Sequence, residues 1–280
     1  MDGGRTLMHD WQHLRVLLLD MDGVLWRGEQ PLGDLPRLFQ RIASLNLRVA
    51  LVTNNATRTP AQYVAKLQRF GVTFPATHIF GSAQAAVAAL QQRFPQGAGV
   101  YLIGEEGLAR AVQEAGFRLT EGNAQAVVVA LDRHLTYEKL RRATVLIRQG
   151  ALFIGTNPDR TYPTPEGLVP GAGAILAAVE AATDTAPWVV GKPAPLLFQL
   201  AMGRLDVRPE ETLVVGDRLE TDILGGQQAG CATALVLSGV TSEAQAKAAE
   251  VQPDLIVPDL EHLLSWLETQ RRHPGQHIAQ

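Results

Sequence analysis

Short, almost unbroken apolar runs alternate with helix-like segments along nearly the whole chain, and that alternation most limits what it can fold into. The runs are Val16–Leu19, Val49–Val52, Val100–Ile103, Ala126–Val129, Leu152–Ile154, Leu213–Val215, Ala234–Leu237 and Leu255–Val257. A strand with one wet face alternates apolar and polar residues, whereas a continuous run marks a parallel strand covered on both faces. Helical patterns fill the gaps, among them Asp34–Leu45, Pro60–Phe70, Glu105–Ala115, Tyr137–Gln149 and Leu196–Leu205. Strand and helix in alternation predict an α/β fold on a mostly parallel sheet.

The 280 residues suggest roughly two domains at about 150 residues each. No Gly/Ser linker or charge run divides them. Two places read as hinges, Phe80-Gly81-Ser82 and Asp184-Thr185-Ala186-Pro187. Lys and Arg number 25 against 28 Asp and Glu, a net charge of −3, and no basic run is interleaved with aromatics. Neither nucleic acid nor an anionic membrane face is therefore an expected partner. One cysteine, Cys231, excludes an internal disulfide, and its apolar surroundings predict a buried structural thiol. The N-terminus lacks a signal-like apolar core, and the uncharged stretch Ile223–Ser242 is broken by glycines, so the expectation is a cytoplasmic protein. The polar stretch Arg271–His277 reads as a frayed tail.

Chemistry collects where strands end. Asp20 and Asp22 follow Val16–Leu19, with Gly23 free to turn sharply after them. Thr53-Asn54-Asn55 follows the second run, Lys192-Pro193 follows Val189-Val190-Gly191, and Asp217 follows Leu213–Val215 and Gly216, with Asp222 five residues on. Ligand sites of open α/β sheets lie at the carboxyl ends of strands. Two close carboxylates repel, so a shared proton or a cation belongs between them. Acids, a hydroxyl, amides and a lysine together suit phosphoryl transfer: a carboxylate nucleophile, an acid–base carboxylate, oxygen ligands for a hard cation and donors for phosphate oxygens.

In order, Asp20-x-Asp22-Gly23-Val24, Thr53-Asn54, Lys192 in Gly191-Lys192-Pro193, and Gly216-Asp217-x-x-x-Thr221-Asp222-Ile223 resemble the four motifs of the haloacid dehalogenase (HAD) superfamily over about residues 14–268. More than a hundred residues separate Thr53 from Lys192, as in members with a large inserted cap. Leu131-Asp132-Arg133-His134-Leu135-Thr136-Tyr137, Thr156-Asn157-Pro158-Asp159 and Val169-Pro170-Gly171-Ala172-Gly173 sharpen the likeness to the class IIA, NagD-like group of 4-nitrophenylphosphatases and phosphoglycolate phosphatases. The resemblance implies a Rossmann-like, doubly wound parallel core over 1–81 and 186–280, with an α/β cap over 82–185.

It also implies roles. Asp20 would attack phosphorus and become an aspartyl-phosphate, and Asp22 would act as acid and then base. Mg²⁺ would be held by Asp20, the Asp22 carbonyl and Asp217, with Asp222 orienting its surroundings. Thr53, Asn54 and Lys192 would bind the phosphoryl group, and Asn55 and His134 would meet the substrate. The substrate would be a small phosphorylated metabolite of sugar phosphate, nucleotide, phosphoglycolate or pyridoxal phosphate type, with 4-nitrophenyl phosphate also accepted. A homodimer through the cap is one arrangement found in similar proteins.

Two other readings compete. A non-catalytic phosphate-binding or phospho-acceptor regulator would also use an acidic cluster, a Thr and a Lys, but it needs neither Asp22 nor a hundred-residue insertion. A phosphomutase uses both aspartates but usually has a smaller or differently placed cap, and a carbon–halogen hydrolase has no use for the second aspartate or for Mg²⁺. The pairs His9/His13 and His273/His277 have helical spacing for a metal but no carboxylate partner. Gly171-Ala172-Gly173 lacks the rest of a dinucleotide fingerprint, and neither a Gly-x-Ser-x-Gly elbow nor a Walker loop is present.

Overall fold

The computed structural model describes residues 11–164 and 166–272. His9, His273 and His277 lie outside them. The chain divides into two compact units. One comprises the residues up to Leu51, Phe70–Val72 and the residues from Ala201 onward; the other comprises Val52–Arg69 and Thr73–Leu200.

In the first unit, parallel strands follow one another in the order Leu255–Val257, Ala232–Val236, Thr212–Gly216, Val16–Leu19 and Arg48–Thr53. The last runs on past Leu51 into the second unit, where Ile79–Gly81 completes the sheet order. All four residues of Val16–Leu19 are buried, as the unbroken apolar run predicts. Leu19 stands in register with Val215 on one side and Leu51 on the other. The strand order therefore reverses at Val16–Leu19, and the carboxyl end of such a strand is where open α/β sheets leave a crevice.

The helix Leu35–Ser44 starts at Asp34, whose side chain accepts from the Arg37 amide, and turns Leu35, Leu38 and Ile42 inward. The helix Leu260–Arg272 buries Leu260, Leu263, Leu264 and Leu267. Arg41 joins the two helices by donating to Glu268 at 2.9 Å and to Ser265 at 2.9 Å. Arg271 and Arg272, expected to fray, belong to this helix. Arg271 donates to the carbonyls of Leu14 and Leu45, which fixes the helix end.

The second unit carries a five-stranded parallel sheet in the order Trp188–Val189, Leu152–Gly155, Ala126–Val129, Gly99–Ile103 and Arg118–Leu119. Ile103, Val127, Val129 and Phe153 pack there against Leu146, Ile147, Ile175 and Val179 of the helices Tyr137–Arg148 and Ala172–Thr183. Phe80-Gly81-Ser82, read as a hinge, is the end of a strand running directly into the helix Ser82–Arg93. Ser82, Ala83, Ala85, Ala86 and Ala89 are all buried, so small side chains let that helix pack closely. Among the described residues no helix is long and apolar enough to cross a membrane.

Candidate active site

Each acid at the strand ends of the first unit is set by backbone. Asp20 continues the ladder past Leu19, its N–H donating to the Val215 carbonyl at 2.9 Å. Asp217 follows directly on Thr212–Gly216, the neighbouring strand. Asp222 lies in the π-helical turn Leu219–Ile223, and one of its oxygens accepts from the Arg218 amide at 3.1 Å. Carboxylate oxygens of Asp20, Asp217 and Asp222 all come within 4.8 Å of one another. Asp217 and Asp222 are each 2% exposed.

Three glycines make room for this cluster. A Cβ at Gly239 would lie 2.0 Å from Asp217 Oδ2, and one at Gly23 would lie 2.4 Å from it. A Cβ at Gly216 would lie 2.2 Å from that of Asp222. Gly23 also needs its freedom for the turn itself, at φ +89°. Asp217 Oδ2 accepts the Val240 amide at 2.8 Å. Three converging carboxylates repel unless a cation joins them, and an all-oxygen donor set suits a hard divalent ion. The residues present fit Mg²⁺.

The Asp22 carboxylate is not one of these three. The residue is exposed, yet its Oδ1 accepts the indole N–H of the fully buried Trp26 at 2.9 Å.

In the second unit the structure joins Asn54 to Lys192. Asn54 Oδ1 accepts the Lys192 amide at 2.8 Å, and Asn54 Nδ2 donates to the Lys192 carbonyl at 3.0 Å and to Asp159 at 3.3 Å. The Asn54 carbonyl in turn accepts from Ser82 Oγ at 2.6 Å and Asn157 Nδ2 at 2.8 Å. Lys192 is 3% exposed, and its Nζ donates to the Val52 carbonyl at 3.2 Å. Thr53 is buried at the end of its strand and accepts the Asn55 amide at 3.2 Å. Asn55 turns its Oδ1 to the amide and hydroxyl of Thr57, at 2.8 and 2.7 Å.

His134 is exposed on a loop with a rigid base. Buried Asp132 accepts the His134 amide at 2.9 Å and Lys139 Nζ at 2.6 Å, and Lys139 also donates to the His134 carbonyl. Beside it Arg133 forks onto Glu105, and this hydrogen bond holds the Glu105 carboxyl below its ordinary range. Ser82, Asn157, Asp159, Val240 and Trp26 were not expected as site residues. Trp26 lies just beyond the motif string that runs from Asp20 to Val24.

Residues 17–118 match the family described as haloacid dehalogenase-like hydrolase, and residues 189–263 match a second, HAD-hydrolase-like description. A dihydroxyacetone phosphatase of Corynebacterium glutamicum is 35% identical over 88% of this chain and 89% of its own length. The crystal structure of a 4-nitrophenylphosphatase from Thermotoga maritima superposes with a TM-score of 0.87 at 33% identity, covering 91% of this chain and 98% of the other. A glycerol phosphate phosphatase from Mycobacterium tuberculosis in complex with magnesium does so with a TM-score of 0.84 at 39% identity, covering 90% and 77%. These likenesses agree with the superfamily, subgroup and α/β fold read from the motifs.

Proposed function

The chain belongs to the haloacid dehalogenase-like hydrolases, and from that premise we propose that it is an Mg²⁺-dependent phosphatase of small phosphate monoesters working through an aspartyl-phosphate on Asp20. The observation that carries this reading is the meeting of Asp20 and Asp217, at the ends of adjacent parallel strands, with Asp222 of the turn that follows. The Asp20 and Asp217 carboxylates and the Asp22 carbonyl would hold the ion, with Asp222 orienting its surroundings. When bound, Mg²⁺ supplies positive charge that offsets the phosphoryl and carboxylate oxygens.

In the first half-reaction an Asp20 oxygen attacks phosphorus. The bond from phosphorus to the leaving oxygen breaks, its electron pair goes to that oxygen, and Asp22 delivers a proton to it. In the second, the Asp22 carboxylate takes a proton from water as the water oxygen attacks phosphorus. The bond to Asp20 breaks, inorganic phosphate departs and Asp22 is again protonated. Thr53, Asn54 and the Lys192 ammonium would bind the transferring phosphoryl group. Asn55 and His134 would meet the leaving group. The cap, residues 82–185 between core segments 1–81 and 186–280, would select it and exclude water.

The relatives named for dihydroxyacetone, glycerol-3-phosphate and phosphoglycolate support small organic phosphates as the substrate class. A cytoplasmic location and a homodimer through the cap belong to the same proposal, the latter tested by light scattering after gel filtration. The test of the activity is hydrolysis of 4-nitrophenyl phosphate and of a panel of small organic phosphates, with and without Mg²⁺. Metal-dependent release of phosphate is expected, and its absence on every substrate from folded protein contradicts the reading.

A further inference from the structure

Trp26 is a fully buried aromatic residue with its one polar atom spent on an exposed carboxylate. The turn that brings them together is tight. The Leu25 amide donates to the Met21 carbonyl at 2.9 Å, the Gly23 amide donates to the Trp26 carbonyl at 2.8 Å, and Gly23 takes φ +89°. The indole is fixed on its other sides as well: its strand Trp26–Arg27 pairs with Gln30–Pro31, and its ring lies 6.0 Å from that of Phe70. A side chain so held has little rotamer freedom, and an indole N–H is a donor only. It therefore fixes Asp22 Oδ1 as an acceptor.

We propose that Trp26 is a positioning residue for the acid–base chemistry of Asp22, its indole N–H holding Oδ1 so that Oδ2 is the oxygen that exchanges the proton. This rests on the phosphatase reading and deepens it. In the first half-reaction the proton on Oδ2 passes to the leaving oxygen as its bond to phosphorus breaks, leaving Asp22 a carboxylate. In the second, the same oxygen recovers a proton from the attacking water. Accepting the indole N–H makes Oδ1 the less basic of the two oxygens, so the proton sits on Oδ2. A more basic leaving oxygen depends more on that proton transfer, so the N–H matters most for alkyl phosphates and least for 4-nitrophenyl phosphate.

The test is Trp26→Phe, which keeps an aromatic ring and deletes the N–H. The quantity to compare is kcat/KM, which covers the steps through departure of the leaving group, for glycerol phosphate and 4-nitrophenyl phosphate in parallel. A fall of about ten- to a hundred-fold on glycerol phosphate is expected, with a change under about three-fold on the aryl ester. In an Asp22→Asn background the same substitution should add no further selectivity. An equal fall on both substrates, or none on either, overturns the proposal. If Trp26→Phe fails to fold, site-specific 3-benzothienylalanine at position 26 keeps the bicyclic shape without the N–H, and the same comparison applies. Wild-type protein inactive on both esters would instead count against the phosphatase reading itself.

Discussion

Gly239→Ala should disable the acidic cluster while leaving the fold standing. The new Cβ would lie 2.0 Å from Asp217 Oδ2 and 2.4 Å from its Cγ. Non-bonded carbon atoms settle at about 3.5–4.0 Å, so the Asp217 carboxyl must move by about 1 Å or more. That motion pulls Oδ2 from the Val240 amide, now at 2.8 Å, and away from the oxygens of Asp20 and Asp222. Losing a hydrogen bond to a charged group costs about 1.5–3 kcal/mol, below the roughly 5–15 kcal/mol that keeps a domain folded. A 1 Å misplacement in a reacting constellation costs about a hundred-fold in rate. The assay is kcat/KM on 4-nitrophenyl phosphate across a Mg²⁺ titration, with circular dichroism to confirm folding. The expected result is a rate about a hundred-fold lower and weaker apparent Mg²⁺ binding. Gly203→Ala, where a Cβ meets nothing within 4 Å, should leave both unchanged. Wild-type rate and Mg²⁺ dependence in Gly239→Ala would refute the placement of Asp217 in the metal site.

Asn54→Ala removes the two-point hold on the Lys192 backbone; kcat/KM on 4-nitrophenyl phosphate should fall at least ten-fold, and a value near wild type would deny that hold a role. Cys231 is buried, and burial pushes its thiol up to about 12. About one molecule in ten thousand is then thiolate at pH 8, so iodoacetamide should label it only in denaturant, as intact mass would report. The Glu105 carboxyl, held below 4.5 by Arg133, stabilises the fold at pH values above its unfolded range and loses that effect as pH falls through its lowered value. The Arg133 side chain is 61% exposed, so Glu105→Gln should cost under about 1 kcal/mol at pH 7. In denaturant titrations that gap should close as pH drops below 4.5.

The strands were legible wherever burial on both faces leaves no room for polar residues. Val16–Leu19 and Ala126–Val129, buried throughout, have the same limits in sequence and structure. The acids were legible because Asp20 and Asp217 continue directly from such strands, so adjacency in the chain becomes adjacency in the sheet. Local pattern said less about Ser82–Arg93: Phe80-Gly81-Ser82 read as a hinge, and only the burial of the alanines that follow shows a close-packed helix. The hairpin Thr161–Thr164 with Gly167–Pro170 was missed because Pro163 and Pro170 remove ladder donors and suppress a strand reading. Nothing in the chain says which way the indole N–H of Trp26 will point. Gly239 and Val240 reach Asp217 from more than twenty residues away, and only the fold supplies that contact. The anchoring of Arg271 depends in the same way on carbonyls from the far end of the chain.

The central claim is that an Asp20 carboxylate oxygen is the nucleophile that attacks phosphorus. Borohydride added to enzyme turning over a good substrate with Mg²⁺ would reduce an aspartyl-phosphate to homoserine, and peptide mass spectrometry would locate it. The account predicts substrate-dependent homoserine at position 20 and nowhere else, enriched when Asp22→Asn slows hydrolysis of the intermediate. Steady phosphate release with an unmodified position 20, or homoserine at another aspartate, would contradict it.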